Sequence, residues 1–147
     1  MADTSIEVLS FEECVAQLRA GSVGRLAFTH GTFPVVFPVN YRLVEDERGI
    51  AVVVRTRPGN VLDRAPREVA FQIDGIDPAQ RIGWSVLVQG RLRHLAPPDE
   101  ATRGSLDPQP WAGGQRDSWL AIEPMLIGGR RLRHPDAPWA FEPAAYL

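Results

Sequence analysis

Along most of this chain apolar and polar positions alternate with a period of two, and a helical spacing shows only near the start. Phe11, Cys14, Val15 and Leu18 recur at helical intervals behind Ser10-Phe11-Glu12-Glu13. In that segment the serine can accept a backbone N–H and Glu13 can reach back, so a capped helix ending near Gly21 is predicted. From Val23 the period is that of strands, over residues 23–29, 34–44 and 50–56, with turns at His30-Gly31 and at 46–49. These are three hairpin-connected strands. Pro34 and Pro38 place the second at an edge, a bulge or a barrel rim, because proline has no N–H for a central ladder.

Arg57-Pro58-Gly59-Asn60 ends the third strand, and residues 61–65 read as a brief helix closed by Pro66. Strands follow at 68–73 and 81–95, joined by a loop holding Asp74, Gly75, Asp77 and Pro78. The second alternates around Trp84, Val86, Val88 and Gly90 and is long enough to bend around a barrel corner. Residues 97–114 are polar and rich in proline and glycine, with a short helix at 98–103, and read as the most mobile stretch. A sixth strand is predicted at 119–127, and residues 128–147 are expected as a tail against the barrel or a partner subunit. The fold class expected is mainly β: a six-stranded antiparallel split barrel of Greek-key type with a few short helices. A parallel α/β sheet would need a helix between most strands.

With 147 residues the chain is sized for one domain, 1–147, burying roughly two-thirds of the surface of its unfolded form. Its 18 acidic and 16 basic residues nearly cancel, which argues against nucleic acid as a partner. Every basic residue is arginine, so a phosphate must be met by arginine, and Schiff-base chemistry on lysine is excluded. Cys14 is the lone cysteine and lies on the apolar stripe of the helix, as a buried core thiol would. His30, His94 and His134 have no spacing that reads as a zinc site, and no segment approaches the ~20 apolar residues of a membrane span. A cytoplasmic protein is expected.

Candidate chemistry centres on Arg55-Thr56-Arg57-Pro58-Gly59-Asn60-Val61-Leu62. There a strand end supplies an arginine fork and a hydroxyl, and the following turn supplies free backbone N–H groups, which together can converge on one anion. Such a pattern is also that of a solvated turn. Arg25 is expected to pair with Asp74 across the barrel as a structural ion pair. Trp84 suits an interface, and Trp111, Trp119 and Trp139 suit core or interface packing. No histidine has a partner that would make it a catalytic base, and no Ser/His/Asp or paired-carboxylate arrangement is legible.

Six segments in order, namely Val23-Gly24-Arg25-Leu26-Ala27, Pro38-Val39-Asn40-Tyr41, Arg55-Thr56 with Gly59 and Leu62, Ala70-Phe71-Gln72-Ile73-Asp74, Gly83-Trp84-Ser85-Val86-Leu87-Val88-Gln89-Gly90, and Gly129-Arg130-Arg131, span most of the chain. Together they resemble the pyridoxamine 5′-phosphate oxidase-like, FMN-binding split-barrel family. The resemblance implies a homodimer with two flavin sites at the subunit interface. It implies Pro38, Val39, Asn40 and Tyr41 along the isoalloxazine, Arg55, Thr56, Gly59, Asn60, Val61 and Leu62 on the phosphate side, and Trp84 and Ser85 close to the cofactor. For Tyr41 a buried core position with a satisfied hydroxyl stands as the alternative.

Val61 departs from the family pattern, in which a lysine precedes the leucine of the phosphate helix. Losing one charge-assisted hydrogen bond costs about 1.5–3 kcal/mol. Arg57, Arg64 or an arginine of the other subunit could compensate. The function implied is an FMN-dependent oxidoreductase that passes hydride to or from a small molecule, with NAD(P)H or the substrate as electron source. The alternatives are a reductase binding the deazaflavin F420 and a non-catalytic module for a flavin or another ligand.

Overall fold

The computed structural model describes residues 4–134, without the side chains of Ala101, Ser105 and Leu106. The predicted tail beyond 134, and Trp139 with it, lies outside the described residues. A short strand absent from the prediction comes first, β1 (Ser5–Val8), followed by helix α1 (Phe11–Ala20). Ser10 caps α1 by accepting the Glu13 N–H at 3.1 Å, and the Glu13 carboxylate accepts the Ser10 N–H at 2.8 Å. Cys14 and Leu18 are buried as the spacing predicts. Phe11 is exposed, however, and the buried stripe takes in Gln17 instead.

Strands β2 (Val23–His30), β3 (Phe33–Asp46) and β4 (Gly49–Thr56) form the expected hairpins, and β5 (Arg67–Asp77) and β6 (Ile82–Leu95) form a further one. Asp74, Gly75 and Asp77, predicted in a loop, extend β5, because Asp74 pairs with Ser85, Gly75 with Trp84 and Asp77 with Ile82. Helix α2 (Glu100–Leu106) starts after an N-cap at Asp99, two residues later than predicted. The last described strand, β7 (Ser118–Arg133), continues six residues past the predicted end. Residues 128–133 are therefore strand and not tail.

The ladder runs β1-β7-β4-β3-β2-β5-β6, and β6 also pairs with β7, which closes a ring of six antiparallel strands. Strand β7 keeps β6 on one edge along its whole length but changes partner on the other. Residues 118–122 pair with β4, and 130–133 pair with β1. That change of neighbour splits the barrel. Between the two halves the register slips, since Gln89 faces Leu126 but Gly90 faces Pro124. A β-carbon on Gly90 would lie 2.1 Å from the Glu123 carbonyl oxygen, so only glycine fits this bend.

Leu18, Leu26, Phe71, Val86, Val88, Leu92, Leu120 and Ile122 fill the interior. The prolines of β3 obey the ladder rule in a specific way. Residues 33–40 pair with β2 alone, and β4 joins only at Tyr41. The Tyr41 N–H donates toward β2, to the Ser22 carbonyl. By alternation, Pro34 and Pro38 therefore direct their missing N–H groups at an edge that has no neighbour.

Candidate functional site

The open edge of β3 and the end of β4 diverge where Asn40 and Arg55 leave the ladder, and the chain after α2 returns to cover the gap. This encloses a cavity of about 110 Å³ lined by Pro38, Val39, Asn40, Arg55 and Leu62, with Pro108, Pro110, Ala112 and Arg116 as its lid. Residues from three separately predicted segments thus meet at one place. Strand alternation turns Val39 and Tyr41 to the core, and Pro38 and Asn40 toward the lid.

Arg55 lies on the outer face of β4, with its guanidinium 4.6 Å from the centre of the Trp119 ring. One Nη donates to both carboxylate oxygens of Asp107, at 2.9 and 3.0 Å, and Nε donates to the Arg116 carbonyl at 3.0 Å. Both side chains of the ion pair are only 14% exposed. Asn40 accepts the Trp111 N–H on its side-chain oxygen at 2.9 Å. Arg57 packs over Gly114, where a β-carbon would come 2.9 Å from the arginine Nη2. Every tether between lid and barrel named here falls on the predicted anion segment or on Asn40.

Thr56 points inward and is buried, with a hydroxyl that has no hydrogen-bond partner. It faces away from Arg55 and lies outside the cavity lining, so the anion chemistry of the cradle rests on its arginines, Arg55 and Arg116, which suit a phosphate. The space does not yet fit a whole nucleotide, because small-molecule sites usually enclose about 300–1,000 Å³. Tyr41 takes the core alternative: its hydroxyl donates to the Leu18 carbonyl at 2.7 Å, and burial pushes its pKa well above the usual phenol range. It ties α1 to β3.

The predicted helix at 61–65 does not form. Asn60 uses its side-chain oxygen on the N–H groups of Leu62 and Asp63, at 2.7 and 3.2 Å, which replaces a helical turn by a side-chain turn. The Asp63 carboxylate turns back to the Gly59 N–H at 2.7 Å, and Ala65 precedes a proline, a position that disfavours helix. Val61 and Leu62 pack against the core instead. Asp63 also accepts from the Ser118 hydroxyl and stands 2.9 Å from His94 Nε2. Burial opposes its ionisation, but the bonds from Ser118, the Gly59 N–H and His94 outweigh it and hold the carboxyl below its ordinary value. This Ser–Asp–His group was not legible in sequence. Because the carboxylate stands between the other two, the serine has no imidazole base and no triad results.

Trp84 and Ser85 lie elsewhere. They line a second cavity, of about 460 Å³, with Ile6, Asp74, Arg81 and Arg130 among its walls, and the Trp84 indole N–H is buried without a partner. Arg55 is level with Trp119, and Trp119 with Leu95, which is 95 − 84 = 11 residues along β6 from Trp84. At roughly 3.3 Å per residue that is about 35 Å of strand. Within one chain the two predicted halves of the site do not meet. Arg130 and Arg131 pair with β1, and Arg131 donates to Glu7 at 2.8 Å and to Glu13 at 3.1 Å. The Arg131 and Arg133 bonds hold the Glu7 carboxyl below its ordinary range. Arg25 meets Asp74 at 3.6 Å, as expected.

Sequence reasoning missed Asp107, Trp111 and Arg116 as parts of the cradle. Nothing in a proline- and glycine-rich stretch says which of its residues folds back 52 positions onto a strand. Among the described residues no helix is long and apolar enough to cross a membrane.

A family model described as pyridoxamine 5′-phosphate oxidase matches residues 10–131. The uncharacterized protein Rv0080 of Mycobacterium tuberculosis is 33% identical over 128 residues, 84% of this chain and 84% of its own. The FAD binding protein from Mycobacterium smegmatis is similar at 30% identity and a TM-score of 0.65, covering 88% of this chain and 100% of its own. An FAD-binding protein from Mesorhizobium loti is similar at 25% identity and a TM-score of 0.69, covering 90% and 100%.

Proposed function

The chain belongs to the pyridoxamine 5′-phosphate oxidase family, and from that premise we propose that it is a homodimeric flavin-binding oxidoreductase that anchors FMN by its phosphate at the β3–β4 cradle. The observation that carries this reading is the convergence of Pro38, Val39, Asn40, Arg55 and Leu62 on one cavity, with the Arg55 guanidinium in its wall. Arg55 would hold the phosphate, Asn40 would meet the polar edge of the ring system, and Arg57 supplies a second cation where Val61 lacks one. Two similar proteins described as FAD-binding support a flavin over other phosphorylated ligands. A bound flavin would supply hydride transfer, and the chain's own residues would position it and exclude water.

A second copy supplies what one chain lacks. Ile6, Val8, Leu87, Met125 and Leu126 are exposed on the β1–β7–β6 face, next to the cavity of Trp84 and Ser85. Apolar side chains clustered this way suit an interface. Pairing through that face would carry the partner subunit's Trp84 end toward the cradle, and would explain why the two halves of the site stand about 35 Å of strand apart in one chain.

Fluorescence titration of the ligand-free protein with FMN, FAD, riboflavin and F420 tests the reading. FMN is expected to bind tightly and riboflavin weakly, and NADPH is then expected to reduce the bound FMN without air. FAD preference would move the cofactor assignment while keeping the phosphate anchor, and F420 preference would make the protein a deazaflavin reductase. Binding without reduction would leave a carrier or sensor. Equal affinity for FMN and riboflavin would sink the phosphate anchor.

A further inference from the structure

Arg55 does not wait with an open fork. One Nη of its guanidinium already donates to both oxygens of an anion, the Asp107 carboxylate, at 2.9 and 3.0 Å in a setting where both side chains are 14% exposed. These are the charge-assisted donors with which an arginine also takes up a phosphate. We propose that Asp107 is a built-in competitor for the cradle: residues 107–117 form a strap that places a carboxylate where the ligand's phosphate must go, so that a phosphorylated ligand enters only by displacing it. The inference rests on the function proposed above and adds its control.

The strap is built to come and go as a unit. Its first residue is the C-cap of α2, where the Asp107 N–H donates to the Arg103 carbonyl at 2.8 Å, so the carboxylate projects from an anchored point. Pro108 and Pro110 stiffen the next residues, and Gln109 between them has a φ of +47°, a conformation that disfavours a residue with a β-carbon. Gly113 and Gly114, the latter at a φ of +103°, supply a flexible far end. Between these points the strap bonds the barrel at Arg55 and Asn40, Pro108 is its one buried residue, and Trp111 remains 79% exposed. No apolar anchor from Trp111 opposes release.

The exchange is close to balanced. Arg55 cannot lose its charge, and a half-buried guanidinium without an anion is costly, so it keeps one partner or the other. A phosphate carries more charge than a carboxylate. The strap therefore yields to a phosphate and remains closed against riboflavin, which has none. The cradle as it stands, at about 110 Å³, is the closed form.

The experiment compares wild type with Asp107→Asn, which keeps the shape of the side chain and removes its charge. Each is titrated with FMN and riboflavin, and amide hydrogen exchange is followed across 107–117. The variant is expected to bind FMN roughly tenfold more tightly, to leave riboflavin affinity unchanged, and to exchange faster across the strap. Weaker or unchanged FMN binding, or equal shifts for both ligands, would overturn the proposal. Should neither protein bind any flavin, the flavin reading fails and the strap is decided separately with inorganic pyrophosphate. Pyrophosphate is then expected to speed exchange across 107–117 in wild type but not in Arg55→Ala, and no acceleration in wild type would overturn the latch.

Discussion

Residues 118–124 and 125–133 of β7 each hold four apolar side chains besides Pro124, but the second stretch adds three arginines, and the surroundings of the two differ. In the first half Trp119, Leu120, Ala121 and Ile122 are buried one after another, although a strand in a barrel shows only alternate residues to the core. Leu120 and Ile122 face the interior, and Trp119 and Ala121 face outward. The outward pair is buried because the segment containing α2 and the strap crosses that side, where Arg103 stacks on Trp119 and Arg42 reaches the Gly104 carbonyl. In the second half Met125 and Leu126 are exposed, and the neighbouring Val8 of β1 is 85% exposed. Consecutive burial in a strand thus marks a second layer, and its absence around Met125 and Leu126 leaves an uncovered apolar surface.

Removing the main side chain that the second layer covers should break the contrast most strongly. Trp119→Ala is expected to destabilise the protein by about 3–5 kcal/mol, since a large aromatic is lost from under the strap and nothing can collapse into its place. Urea denaturation measures it, and a loss below about 1 kcal/mol would mean that the strap does not seal this side. Arg55→Ala should cost about 2 kcal/mol, by leaving the Asp107 carboxylate half-buried and alone. The same change should weaken FMN binding at least about tenfold while the dimer persists. Unchanged FMN affinity would remove Arg55 from the site.

The open half is tested by charge. Val8→Glu combined with Leu126→Glu should convert the proposed dimer to monomer in sedimentation, while changing the stability of the separated chain by no more than about 0.5 kcal/mol per site. A dimer that survives both charges would place the interface on another face. The smallest effect is expected at the exposed counterpart of the Arg55 pair. Arg25 and Asp74 stand 3.6 Å apart at 50% and 26% exposure, so Arg25→Ala should cost about 0.5 kcal/mol and lose even that in high salt. Equal costs at Arg25 and Arg55 would deny that burial separates the two pairs.

Elements whose cause is local were legible in the sequence. The Ser10 cap, the three hairpin-connected strands β2 to β4, the long β6 and the open-edge placement of Pro34 and Pro38 follow from periodicity and from what each residue's backbone can donate. Where distant groups compete, the local reading failed. Residues 61–65 have a helical start signal, but Asn60, Asp63 and Ser118 draw their polar groups into other bonds. Strand β1 has only four residues and no strong pattern, and it forms because Arg131 and Arg133 hold Glu7 against the second half of β7.

The candidate site divides the same way. Arg55, Thr56 and Asn40 were legible as chemistry, because an arginine fork and a hydroxyl at a strand end imply an anion wherever they occur. That Arg55 is already paired was not legible, since its partner lies 52 residues away in a stretch without periodicity. By itself the sequence determined the strand pattern, the capped helix, the reliance on arginine for any phosphate and the family resemblance, all of which depend on residue type and short-range order. The tertiary structure alone decided which loop closes the cradle, which tryptophans are buried and which half of β7 is left uncovered. Those outcomes depend on distances between residues far apart in the chain, and they arise only when the ring of strands closes and brings the loop after α2 across its outer face.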